Sequence, residues 1–260
     1  MDDNNLTEEQ AFNRWHLGAC KEADEEKPWR TGINVLTLHD QLEGKGHEEV
    51  KVAILDTGCD IEHPALNDAI DQDLVRDFDF TDRAIDKKNG VSLSEDGRVH
   101  NPHEAHGTAS AGIVAANPDG DDNHKGDDEG ISLGITGVAP KCKIVPIRIS
   151  NNFETDALVN AINYAADHGD LVLLPRYLPD RPEVRKALRE AATTIPVVCA
   201  AGNSGRSSLA FPASLDETIA VGACNQHGYR STYSQYGEGL HVVAPSNDID
   251  VEVAGFVRLT

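Results

Sequence analysis

A chain of 260 residues, 39% hydrophobic and with Gly and Pro scattered along it, is long enough to bury a substantial core, and one large domain is expected rather than two. Lys and Arg number 23 against 44 Asp and Glu, a formal charge of −21, which disfavours nucleic acid and anionic membrane surfaces as partners through repulsion. The longest apolar runs, such as "IPVVCAA", fall far short of a membrane span.

The chain opens with "MDDNNLTEEQAFNRW", which has neither a basic n-region nor an apolar h-region, so a non-secreted, cytoplasmic or otherwise intracellular protein is expected. Its five cysteines, Cys20, Cys59, Cys142, Cys199 and Cys224, are odd in number and contain no CxxC pair, in keeping with thiols in a reducing compartment. Cys59, in "ILDTGCD", and Cys199, in "VVCAAGNSG", are expected to act as small buried hydrophobes.

Residues 1–48 form a polar N-terminal extension, and residues 49–260 form the folded domain. From there apolar runs of strand length alternate with amphipathic segments of helix length. "EVKVAIL", "CKIVPIRI", "DLVLLP", "IPVVCAA", "TIAVGAC" and "LHVVA" read as strands, mostly without period-2 alternation, as when both faces of a parallel sheet are covered. Leu158, Ala161, Ile162 and Ala165 share one helical face, and so do Val184, Ala187, Leu188 and Ala191. Residues 67–104 and the segment "NPDGDDNHKGDDEG" from Asn117 to Gly130 are acidic, rich in turn formers, and read as surface insertions. This order predicts a doubly wound α/β fold, a mostly parallel sheet with helices on both faces, whose functional groups gather beyond the carboxyl ends of the strands.

"ILDTG" ends the first strand at Asp56 and admits two chemistries. A shared-proton pair of carboxylates needs a second Asp-Thr/Ser-Gly or a small β-rich homodimer, and Asp56-Thr57-Gly58 is the only such triplet in an α/β chain. A proton relay needs a His, an Asp to hold its tautomer, a nucleophile and an oxyanion donor. "HEAHGTASAGIVAANP" places His106 ahead of Ala109, Gly112, Ile113 and Ala116 at helical spacing, so its imidazole is expected at a helix start. "VVCAAGNSG" places Asn203 in a turn after a buried strand, with Gly202 and Gly205 permitting the sharp reversal.

Taken together, "VAILDTGCDIEHPAL", "HGTASAGIVAA", "AAGNSG", "GITGVAP", "FPASLDETIAVGA" and "YSQYGEGLHVVAPS" resemble, in order over most of residues 50–246, the motifs of the subtilisin-like (subtilase, peptidase S8) serine proteases. The resemblance implies that Asp56 orients His106, that His106 is the general acid and base, and that Asn203 donates to the oxyanion. It also implies peptide or protein substrates.

The same comparison exposes departures. The family's nucleophile is the Ser of a Gly-Thr-Ser motif after an "APG"-type turn; here the turn is Ala244-Pro245-Ser246, and residues 1–260 contain no Gly-Thr-Ser. No nucleophile is assigned, and the domain reads as truncated before the nucleophile helix, since a parallel sheet without its covering helix exposes apolar surface. A C-terminal completing segment is then an expected partner. The alternative is a pseudoprotease that binds peptides or proteins without cleaving them.

Ser132 in "GISLG" fits a nucleophile-elbow pattern but follows "DNHKGDDE", which is no buried strand. Where the family has Ser-Leu-Gly as a backbone edge for substrate, this chain has Pro175-Arg176-Tyr177, and Pro cannot donate a ladder hydrogen bond. His63-Pro64 is followed by Ala65 and Leu66, which removes a carboxylate from the family's common calcium site. No cofactor is expected, although the loop from Asp119 to Glu129, with six carboxylates and one Lys, could take calcium; it reads first as a solvated acidic insertion. His100, His103 and His106 do not have zinc-site spacing, so no metal site is assigned.

Overall fold

The computed structural model describes residues 32–35, 38–39, 44–78, 105–117, 136–149, 153–225 and 228–246. Seven parallel strands form one sheet: β1 (Lys51–Asp56), β2 (Arg76–Asp77), β3 (Lys143–Arg148), β4 (Leu171–Leu174), β5 (Val197–Ala200), β6 (Ile219–Cys224) and β7 (Leu240–Pro245). Their spatial order is β2-β3-β1-β4-β5-β6-β7. Among the described residues they are accompanied by the α-helices α1 (His106–Ala115), α2 (Thr155–His168) and α3 (Pro182–Ala192). All six strands expected from the apolar runs are present, and the doubly wound arrangement is as the pattern predicted.

β1 explains the absence of period-2 alternation. Ala53 and Leu55 enter one core with α2 and α3, whereas Val52 and Ile54 enter a second core with Ala111 and Ala115 of α1. Successive side chains of a strand point to opposite faces, so a strand covered on both sides has no polar positions to alternate with. Leu158, Ala161, Ile162 and Ala165 of α2 are all buried, as are Val184, Ala187, Leu188 and Ala191 of α3. Pro182 stands in the first turn of α3, where its missing N–H costs nothing.

β2 was not foreseen. The stretch 67–104 reads as a surface insertion, but its first part belongs to the body: Ala69, Ile70 and Phe78 are buried, Ile70 forms a parallel bridge to Ile144, and Arg76–Asp77 pair with β3. A two-residue edge strand spelled Arg-Asp has no hydrophobic period to detect. At the opposite edge β7 departs from the covered-strand expectation, since Val242 and Val243 are 54% and 50% exposed. Within the polar extension, Val35 and His39 are buried, and His39 Nε2 donates to Val138 O at 2.8 Å. None of the helices among the described residues is long and apolar enough to cross a membrane.

Cys59 lies in the α1-side core and Cys199 in the α2/α3-side core, as expected of small hydrophobes. Desolvation pushes the Cys59 thiol up to about 12, reinforced by nearby Asp60 and Asp56 and opposed by a hydrogen bond from Thr108. Desolvation likewise takes Cys199 to about 12 against a hydrogen bond from Thr218.

Two outcomes follow from this packing. Leu158→Ala, at a position 1% exposed, should lower unfolding free energy by about 2–5 kcal/mol in urea titration, whereas Ile113→Ala, 47% exposed on α1, should change it by less than about 0.5 kcal/mol. Because both thiols are raised from an ordinary 9.0 to about 12, folding favours their neutral forms. Their contribution is therefore complete below about pH 9 and is lost as pH rises from there through about 12. Native Cys59 and Cys199 should resist iodoacetamide at pH 8 and react once unfolded, read by mass spectrometry; rapid native labelling of either would contradict the burial.

Candidate active site

β1 sits between β3 and β4, so the chain leaves it in one direction across the sheet and returns to continue in the other. Such reversals open a crevice at the carboxyl ends of the strands. Asp56 is the last residue of β1, paired in register with Arg148 of β3, and is 1% exposed. A buried carboxylate requires donors, and they come from three places. Thr57 N donates to Oδ1 at 2.7 Å, His106 Nδ1 lies 2.7 Å from Oδ2 and 2.8 Å from Oδ1, and Ser110 Oγ donates to Oδ2 at 3.0 Å.

His106 opens α1, as the helical spacing predicted. The α1 start lacks a side-chain cap from its own N-cap residue, Ala105, and the loop after β1 supplies one: Thr57 Oγ1 accepts from Gly107 N at 3.1 Å. In return Thr108 Oγ1 accepts from Asp60 N at 2.9 Å. These reciprocal bonds hold the strand end and the helix start together. Only glycine fits at 107, because a Cβ there would stand 1.9 Å from Gly58 O. The imidazole therefore approaches Asp56 as closely as backbone contact allows.

With Nδ1–H donated to the carboxylate, the neutral ring carries its lone pair on Nε2, the state needed to accept a proton. The His106 side chain is 32% exposed against 1% for Asp56, so a substrate could reach the ring while the carboxylate stays dry.

Asn203 follows β5 in an exposed turn. Gly202 has φ +110°, and a Cβ there would meet Gln235 Oε1 at 2.0 Å, so the sharp reversal needs glycine for both conformation and space. Gln235 N donates to Gly202 O at 3.0 Å, Gln235 Nε2 donates to Ser208 O, and Gly205 N donates to Tyr233 O at 2.7 Å. The segment 233–235 thus clamps the turn. β5 is separated from β1 only by β4, so Asn203 lies on the same sheet edge as Asp56, about two strand spacings or roughly 10 Å along it.

Of the three residues singled out by sequence, Asp56 and His106 are in hydrogen-bond contact, and Asn203 shares their edge of the sheet. Sequence reading passed over Ser110, Thr57, Thr108 and Gln235. Ser110 had a signal, four residues after His106 and so on the same helical face; the others depend on loops meeting across the fold.

The substrate-edge departure also has a structure. After β4, Arg176 NH1 donates to Ile149 O at 3.3 Å and its guanidinium lies 5.5 Å from the Phe153 ring centroid, while Tyr177 meets the same ring edge-on at 5.6 Å. Ala65 is buried at 3%. Ser132, His100, His103 and the loop Asp119–Glu129 lie outside the described residues. Among the described residues no group of three or more His, Cys, Asp or Glu could hold a metal ion.

Residues 47–257 match the subtilase family, peptidase S8. The chain is 31% identical over 231 residues to the major intracellular serine protease of Bacillus subtilis (strain 168), covering 84% of this chain and 65% of that protein. It is 32% identical to an intracellular serine protease of Paenibacillus polymyxa, covering 86% of this chain and 63% of that one, and 32% identical to thermitase of Thermoactinomyces vulgaris, with 80% and 66% covered. The chain thus spans just under two thirds of the length of these relatives. A crystal structure of a cold adapted subtilisin-like serine proteinase superimposes with a TM-score of 0.61 at 18% identity, over 89% of this chain and 71% of that one, a likeness of fold. The motif order, the parallel α/β sheet and the family match agree, and the chain belongs to the subtilase family of serine proteases.

Proposed function

We propose that this protein is a serine-type endopeptidase whose proton relay is Asp56 and His106 and whose oxyanion donor is Asn203. The observation that carries the proposal is the 2.7 Å contact between His106 Nδ1 and the buried Asp56 carboxylate. In this mechanism His106 Nε2 takes the proton of a serine hydroxyl as that oxygen attacks the peptide carbonyl, and later gives it to the leaving amine. Asp56 stabilises the imidazolium between the two transfers, and the Asn203 amide donates to the oxyanion of the tetrahedral intermediate. The attacking serine is not assigned to any of residues 1–260. Peptides or proteins are the substrates, and the location is intracellular, a reading supported by two relatives named as intracellular serine proteases.

A second reading is a relative that binds peptides or proteins without hydrolysing them. Peptide mapping of the natural protein after fluorophosphonate treatment separates the two. The peptidase reading expects a serine adduct outside residues 1–260 that disappears in His106→Ala. In the same protein Asn203→Ala should lower kcat on a peptide substrate by about 10²–10³ with KM little changed. Absence of any adduct, with peptide binding retained, would establish the non-hydrolytic reading. Unchanged kcat in the Asn203 variant would remove that residue from the mechanism.

A further inference from the structure

Ser110 stands one turn after His106 in α1. A serine inside a helix ordinarily returns its hydroxyl to the carbonyl four residues back or turns it to water. Here the hydroxyl crosses to the end of β1 and donates to Asp56 Oδ2 at 3.0 Å, the oxygen that lies 2.7 Å from His106 Nδ1. The opposite oxygen, Oδ1, accepts from Thr57 N at 2.7 Å. The carboxylate is therefore gripped at both oxygens by groups other than the imidazole. Arg148, paired in register with Asp56, is engaged with Asp77 at 3.1 Å.

We propose that Ser110 is a positioning residue of the proton relay: its hydroxyl locks the Asp56 carboxylate against rotation and so holds it on His106 Nδ1, which lies 2.7 Å from Oδ2 and 2.8 Å from Oδ1. This deepens the peptidase reading and rests on its assignment of Asp56 and His106. The i to i+4 spacing is what makes the lock possible, because it puts the imidazole and the hydroxyl side by side on one face of α1, both reaching the same carboxylate. Thr57 N alone restrains one oxygen and leaves the carboxylate a pivot; the Ser110 bond removes the pivot. The Nδ1 proton can exchange with solvent only when its contact with Asp56 opens, so its lifetime reports the lock directly.

The test uses NMR on the natural protein, following solvent exchange of the His106 Nδ1 proton in the parent and in Ser110→Ala, Ser110→Thr and Asp56→Asn. Alanine is the better helix former, so Ser110→Ala keeps α1. A hydrogen bond to a charged group is strong enough that its loss should speed exchange about tenfold. The backbone amides of Ala111 and Ala115, buried in the same helix, should keep their rates, and Ser110→Thr should keep the parent lifetime. Adding Ser110→Ala to Asp56→Asn should accelerate exchange no further, because the serine acts through the carboxylate.

Acceleration below roughly threefold in Ser110→Ala, parallel acceleration of the α1 amides, or a threonine variant as fast as alanine would overturn the proposal. If Asp56→Asn itself leaves the proton as long-lived as in the parent, the Asp56–His106 relay fails first. If Asp56→Asn shortens the lifetime and Ser110→Ala does not, the relay stands and only the role of Ser110 falls.

Discussion

The structure turns on a carboxylate held out of water. Removing a charge from solvent costs several kcal/mol unless donors replace the hydration lost, and Asp56 is 1% exposed. Its environment is arranged around that cost. β1 carries Asp56 to the sheet edge, the following turn offers Thr57 N, and α1 brings His106 and Ser110 against it. The reciprocal bonds between Thr57 and Gly107, and between Asp60 and Thr108, fix the distance of the helix from the strand. A larger residue at 107 would push the two apart.

This arrangement depends on β1 being immovable. It lies between β3 and β4, and its two faces enter separate cores, so neither translation nor rotation is open to it without unpacking a layer of helices. The Asn203 turn is secured differently, by segment 233–235 folding back over Gly202 and Gly205. One half of the candidate site is therefore built on rigid elements and the other on a loop tied down by a second loop. Both sit at the carboxyl ends of parallel strands, where backbone carbonyls and crossover loops converge.

The segment after β4 is held by side chains rather than by ladder hydrogen bonds. Pro175 removes a donor, and the two residues that follow are drawn toward Phe153, whose φ of +46° is rare for a bulky side chain. Arg176 lies against the Phe153 ring, Tyr177 meets its edge, and Arg181 NH1 donates to the Phe153 carbonyl. These contacts hold a conformation that a β-carbon ordinarily opposes. They also leave Tyr177 66% exposed, three residues beyond the carboxyl end of β4.

Fold class was legible in the residues because burial on both faces writes itself into composition: "VAIL" of β1 and "IVPI" of β3 are apolar where a half-exposed strand would alternate. The helical faces of α2 and α3 were legible for the same reason, with every apolar position named from spacing found buried. Asp56, His106 and Asn203 could be named because short motifs fix the local turn chemistry around them. Apart from the Asp56–His106 contact, which the family resemblance implied, sequence did not supply the contacts between segments distant along the chain. β2 is an edge strand with no apolar period, and the Ser110 bond to Asp56 spans 54 positions. The Gln235 clamp on Gly202 joins two loops whose meeting depends on the whole sheet. Local periodicity records which face of an element is covered; only the folded chain decides which distant side chain provides the cover and which hydrogen bonds complete the site.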